Sequence, residues 1–309
     1  MIRFPLSTLL RNERVRENVT GLPLSHRVAE RLVPGRTWPE AIEAVRTLVN
    51  EGFQVSLDYL APRATDEAMA IDAADRNSAV LDNLATMGMA RGADLTLLPS
   101  SLGINLPDGE NVAASQATRI GQRAADIGAT ITIASEDHPT IAGIVRVVEA
   151  VRKVVPTAGH TLQARLIRSE SDCAKLDSGA ARARLCRGAY DSPAHLSYSH
   201  EHDINLSFVR CLKLLMRGAG TPLVATHDPT LIALAGEVAS RSGRVVGDYE
   251  FQFLYGVATD EAKKARDEGH TVRILVPYGP QWEHYFWHRL QSRPGFGLGL
   301  YAKTLANRA

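Results

Sequence analysis

The sequence predicts a (β/α)8 barrel of the TIM type. Three observations carry that expectation: eight short apolar runs of strand length, a helical pattern between successive runs, and polar residues gathering where the runs end. The strand-like runs are FQVSLDY from Phe53, DLTLLP from Asp94, ATITIA from Ala129, HTLQARL from His160, RARLC from Arg182, TPLVAT from Thr221, YEFQFL from Tyr249 and TVRILV from Thr271. Between them, apolar residues recur at three- and four-residue spacing, as in Ile141, Ile144, Val145, Val148 and Val151, or Phe208, Cys211, Leu212 and Leu215. Such stripes bury one face of an amphipathic helix. A doubly wound open sheet is the alternative, but no GxGxxG follows the first strand to support a dinucleotide site.

Ahead of the barrel, residues 1–52 read as an irregular start followed by a helix over Pro39–Asn50, placed to cap the N-terminal end of the barrel that occupies 53–309. With 309 residues, of which 45% are hydrophobic and 22% charged, the chain can bury one large core, so a single domain is expected. Thirty-five basic against thirty-four acidic residues leave a formal charge of +1, which generates no field to gather nucleic acid or an anionic membrane. A small molecule is the expected partner. Cys173, Cys186 and Cys211 show neither CxxC spacing nor histidines at ligand intervals, so neither a disulfide framework nor a metal site is expected. The short apolar start, broken by Arg11, Glu13 and Arg14, does not read as a secretory signal, and no run is long enough to span a bilayer. A cytoplasmic location follows as the expectation.

Barrel enzymes keep their chemistry at the C-terminal ends of the strands. The rim read from the pattern comprises Asp58 and Tyr59, Pro99 and Ser100, Ser135 to His138, Gln163 to Arg165, Arg184 to Tyr190, Thr226 to Asp228, Gln252 to Tyr255, and Pro277 to Gly279. The segment ARARLCRGAY, Ala181 to Tyr190, is the densest part of it. Arg184 lies inside a strand, where an unpaired guanidinium is prohibitively costly, so it must face the barrel interior or a bound ligand. Arg187 beside Gly188 sets a cation next to backbone that a ligand can approach closely. His227 follows a strand and precedes a helix whose start is marked by Asp228 and Pro229, an arrangement suited to an anion or to a histidine satisfied by its own turn. Gln163 and Gln252 carry amides able to read a heteroaromatic edge or to bond neighbouring strands.

Together the segments VSLDYL (Val55), LQARLIRSESD (Leu162), ARLCRGAYDSP (Ala183), LVATHD (Leu223), YEFQFLYGV (Tyr249) and VRILVPYGPQWEHYFWHRLQSRPG (Val272) resemble the monofunctional proline dehydrogenases, in order and spacing, from about Leu32 onward. The resemblance implies a distorted barrel holding non-covalent FAD at its C-terminal mouth, with the last helix over the flavin. It implies that Gln163 and Arg184 contact the isoalloxazine, Arg184 near the N5 that accepts hydride; Gln252, by its strand amide, is expected among the cofactor-binding residues as well. Arg187, where the family usually has lysine, Gly188 and Ala189 would line the phosphate and ribose path, with Thr226 and His227 at the far end. It also implies that Arg289 anchors an anionic substrate group, that Tyr190 packs against the substrate, and that Leu185, Leu254 and Tyr285 shape the pocket.

The departures concern the substrate. The family carries lysine at the position of Leu98, aspartate at that of Ala134, tyrosine at that of Leu275, and an arginine pair followed by glutamate where this chain has His288, Arg289 and Ser292. The expected enzyme is therefore an FAD-dependent amine dehydrogenase or oxidase that moves hydride from the carbon next to nitrogen to flavin N5. Its expected substrate is a non-proline imino or amino acid, or a related amine, in specialised metabolism. Ordinary proline catabolism and a flavin-binding homologue without catalysis are the alternatives from the same resemblance. A barrel lyase or aldolase would want a strand-end lysine or metal ligands that the rim lacks. Quinone, oxygen and a partner protein all remain open as electron acceptor.

Overall fold

The computed structural model describes residues 29–176, 179–190 and 192–292. The first 28 residues of the N-terminal segment and the closing RPG of the resemblance, 293–295, lie outside them. All eight expected strands are present: β1 (Gln54–Tyr59), β2 (Asp94–Leu97), β3 (Thr130–Ile133), β4 (Gly159–Gln163), β5 (Arg182–Cys186), β6 (Thr221–Ala225), β7 (Glu250–Leu254) and β8 (Thr271–Tyr278). They pair in parallel and in sequence order, and β8 returns to β1 to close the barrel. The helices are α1 (Trp38–Asn50), α2 (Glu67–Thr86), α3 (Gly109–Asp126), α4 (Ile141–Arg152), α5 (Ser169–Ala174), α6 (Glu201–Arg217), α7 (Pro229–Arg241), α8 (Thr259–Asp267) and α9 (Trp282–Ser292). Asp66 and Asp228 cap α2 and α7 by accepting from Met69 N and Thr230 N, which satisfies amides that have no partner within the helix.

Alternation along each strand divides the residues between two environments. The outward positions, among them Val55, Leu57, Leu95, Ile131, Phe251 and Ile274, meet the helices in one apolar core. The inward positions are ionic, where barrels more commonly stack branched apolar side chains. Asp94 stands at the centre. Its Oδ1 accepts from Arg182 (2.8 Å), Thr130 (2.8 Å) and Thr132 (2.9 Å), and its Oδ2 from Ser56 (2.6 Å) and Arg184 (3.3 Å). Glu250 holds Arg273 through both oxygens at 2.7 and 2.9 Å and lies 3.7 Å from Arg182. Burial alone would raise the Asp94 carboxyl, but Arg182, Arg273 and Arg184 hold it well below the usual carboxylate range.

Two helices depart from simple barrel order. The expectation that the N-terminal helix caps the bottom of the barrel is corrected: α1 packs along the outer face of β1 and β8, with Ala41, Ile42 and Val45 in the main core and Trp38 edge-on to Tyr278. Its apolar stripe needs a broad apolar surface, which the flank of β8 offers. That flank is open because α9 does not fold back onto it. Trp282, Phe286 and Trp287 of α9 instead form a second cluster with Ala29, Leu32, Val33 and Leu60. All three aromatics are buried in that cluster.

Removing Asp94 would leave Glu250 as the one carboxylate in ion-pair contact with the three guanidiniums among the described residues. Asp94→Ala is expected to cost at least about 3–5 kcal/mol, read as a lowered urea midpoint at pH 7. Asp72→Ala, which breaks only the exposed pair with Arg76, should cost under about 1 kcal/mol.

Candidate active site

The inward ladder continues above Asp94 to the C-terminal mouth. Arg184 spans the lumen, donating Nε to Gln252 (2.6 Å), Nη1 to Thr96 (2.9 Å) and Nη2 to Ser56 and Asp94 (both 3.3 Å). These bonds occupy four of the five guanidinium donors and reach across the lumen from β5 to β1, β2 and β7. Gln252 passes the network on by donating Nε2 to Glu250 at 2.6 Å. Its amide is thus a link in the lumen, with both ends engaged, and not an edge presented at the mouth.

Beyond the strands, the β4 and β5 ends stay paired, Ala164 N donating to Cys186 O and Arg165 N to Arg187 O. Gly188 makes this possible. It sits at φ +93°, and a Cβ there would lie 2.9 Å from Gln163 Oε1 and 3.2 Å from Arg165 Cβ, so a side chain would displace both. Gln163 in turn donates to Ser135 Oγ (2.9 Å) and Glu136 O (3.1 Å), binding the β4 end to the segment after β3. Glu136 reaches the next loop, accepting from Ser100 N (2.7 Å) and Ser100 Oγ (2.6 Å). Arg187 is mostly buried and pairs with the exposed Glu201 at 3.2 Å. His227 Nε2 accepts from Leu254 N at 3.0 Å, joining the ends of β6 and β7, and this assigns the ring proton to Nδ1. Thr226 closes the turn into α7 by accepting from Asp228 N.

The other wall comes from α9. His288 lies 4.9 Å from the Tyr190 ring, centroid to centroid, and the Arg289 guanidinium stacks 4.8 Å over Tyr285. Tyr190 follows β5 whereas α9 follows β8, so α9 must cross the open end of the barrel to bring these rings together. Burial, with Glu136 nearby, pushes the Tyr190 hydroxyl well above its ordinary range. Leu98, Ala134, Leu254 and Leu275 are half-buried at the same end. Leu185 is not brought there. It is fully buried in the main core, because alternation sends it away from the lumen that Arg184 enters.

Asp58 is the site residue for which sequence reasoning found no role. It is next to last in β1 and inward like Ser56; it is 9% exposed, and its Oδ1 has no hydrogen-bond partner among the described residues. Burial pushes its carboxyl up to about 6, against the pull of Arg184 and Arg289. The period-two spacing Ser56-x-Asp58, matching Asp94-x-Thr96, Arg182-x-Arg184 and Glu250-x-Gln252, is the signal that could have found it. Among the described residues, no group of three or more His, Cys, Asp or Glu is placed to hold a metal ion, and no helix is long and apolar enough to cross a membrane.

Comparison with known proteins places the chain. The family model described as proline dehydrogenase matches residues 41–290. The chain belongs to the proline dehydrogenase family. Proline dehydrogenase of Deinococcus radiodurans is 30% identical over 273 residues, 86% of each chain. Proline dehydrogenase 1 of Bacillus subtilis is 28% identical over 266 residues, 86% of this chain and 87% of that one. Among solved structures, proline utilization A from Bdellovibrio bacteriovorus, inactivated by N-propargylglycine, superposes with a TM-score of 0.82 at 16% identity, covering 96% of this chain and 39% of that one. Proline utilization A of Bradyrhizobium japonicum gives 0.65 at 18% identity, over 85% and 29%. The chain thus spans well under half the length of these solved relatives, which share its barrel fold.

An isolated buried carboxylate has a testable cost. Because the Asp58 pKa is raised in the folded state, its contribution is most favourable below the unfolded value near 3.8 and is lost as pH rises through about 6. Asp58→Asn is therefore expected to stabilise the protein by about 2–3 kcal/mol at pH 7.5, a gain that disappears near pH 4. Thermal unfolding across that range checks it.

Proposed function

We propose that the chain is an FAD-dependent oxidoreductase that removes hydride from the carbon next to the nitrogen of a carboxylated secondary amine. The observation that carries this is the meeting, at one open barrel end, of a cationic, backbone-exposed wall after β5 with the Arg289–Tyr285 and His288–Tyr190 pairs of α9. The donor set suits a flavin nucleotide. Arg184 retains one unused donor beneath the mouth for a ring heteroatom, and Gln163 lies beside it. Arg187, Gly188 and Ala189 supply charge and close backbone approach for the diphosphate and ribose, and Thr226 and His227 stand at the start of α7, where helix amides favour an anion. When bound, FAD supplies the two-electron acceptor.

The protein's own residues then have three tasks. Arg289 holds the substrate carboxylate, Tyr190 and Leu254 bear on the ring, and α9, pinned by Phe286 and Trp287, keeps water from the reacting carbon. The substrate nitrogen must be unprotonated for its electron pair to assist hydride departure, so turnover should rise with pH through the substrate's apparent pKa. The relatives named proline dehydrogenase make proline itself one reading. Leu98, Ala134 and Leu275 favour a second, a larger or less polar amine than proline, because they line the mouth with apolar surface where the family resemblance places polar groups. His288 in place of an arginine weakens the carboxylate site in the same direction.

The purified protein is expected to be yellow and to bleach anaerobically with a carboxylated cyclic amine. Turnover on millimolar proline equal to that of a relative with both arginines would remove the case for a different amine. Arg289→Met should raise the amine KM about tenfold to a hundredfold, the loss of one charge-assisted hydrogen bond, at unchanged flavin content. An equal KM would overturn the anchoring role.

A further inference from the structure

We propose that Asp58 receives the substrate's nitrogen, its open Oδ1 accepting an N–H of an imino acid whose carboxylate lies on Arg289, an N–H that a secondary amine keeps after losing the proton that turnover requires it to lose. This rests on the proposed reading of the mouth as a site for a carboxylated secondary amine, and it adds the group that distinguishes such an amine from a plain carboxylic acid. A buried carboxylate oxygen without a donor is costly, and structures keep such groups where a ligand completes them.

Among the described residues no donor lies within hydrogen-bond reach of Oδ1. Arg184, the guanidinium with the strongest pull on Asp58, donates instead to Gln252, Thr96, Ser56 and Asp94. The nearby carboxylates of the rim cannot substitute for Asp58: both oxygens of Glu136 are taken by Ser100, and Asp137 pairs with Arg63 at 3.3 Å. The charge count points the same way. Three guanidiniums in the lumen, Arg182, Arg184 and Arg273, face two carboxylates, Asp94 and Glu250, and Asp58 is the third carboxylate on that inward ladder. Its ionised form is thereby retained at neutral pH despite burial. The groups facing it are Arg184 from β5, Arg289 and Tyr285 from α9, Glu136 after β3, Tyr190 after β5 and Tyr278 from β8. None is an anion with an unoccupied acceptor at the position of Oδ1.

The test is calorimetric titration of dithionite-reduced holoenzyme, which cannot turn proline over, with proline and with cyclopentanecarboxylate, the same ring acid without nitrogen. Asp58→Asn should weaken proline about tenfold to a hundredfold while leaving cyclopentanecarboxylate unchanged or tighter, since an anion near the ligand has been removed. Unchanged proline affinity, or equal weakening of both ligands, would overturn the assignment. Wild-type protein supplies a second arm that needs no variant. Between pH 7.5 and 5.5 its proline affinity should fall as Asp58 takes up a proton, and that of cyclopentanecarboxylate should not; parallel behaviour counts against Asp58. Failure of the wild type to bind either acid would instead remove the carboxylated-amine reading, and Asp58's role with it.

Discussion

Asp94 is the residue on which the barrel depends. A parallel barrel lumen of this size has to be filled, and this one is filled with guanidinium groups whose charge would be intolerable without a central anion. Five donors from three strands converge on the two carboxylate oxygens of a residue in a fourth, so the register of β1, β2, β3 and β5 is set by a single side chain as firmly as by the backbone ladder. The same network holds Arg184 across the lumen and so positions the floor of the mouth. Fold and site are joined here through electrostatics, while the apolar core outside the strands supplies the bulk of the burial.

The fold was legible because each of its elements satisfies local rules independently. RARLC begins and ends where β5 does, and Asp228-Pro229 marks the start of α7 as a cap followed by a residue that needs no donor. The site was legible where it coincides with an unusual residue on a strand or strand end, as with Arg184, Gly188 and Tyr190. It was less so where function depends on which face a residue takes. Leu185 reads as a pocket residue from its neighbours and is turned into the core by alternation, while Gln252 is drawn into the lumen by Arg184 and Glu250. Asp58 was visible on the rim, but its open oxygen is a property of everything around it and cannot be read from β1 alone.

A site assembled in this way separates its two duties by element. The wall after β5, held by Gly188, Gln163 and Glu136, is built from backbone pairing and from side chains bound to neighbouring loops, which suits a cofactor that must be held in one pose. The α9 wall is built from ring contacts and one guanidinium, an adaptable surface. The departures that the family resemblance implies, at His288, Leu98, Ala134 and Leu275, fall on this adaptable side and on isolated strand-end positions, and the wall proposed for the cofactor carries one, the arginine at 187.

The placement of α1 gives this division its structural basis. By lying on β1 and β8 it completes the helical jacket that the last helix would otherwise have to close, and the barrel is sealed before α9 begins. The covering helix is thus relieved of any part in closing the cylinder. Its residues can be exchanged, and its angle over the mouth altered, without opening the wall beneath, so the mouth can be reshaped through one helix of a scaffold whose integrity is secured elsewhere.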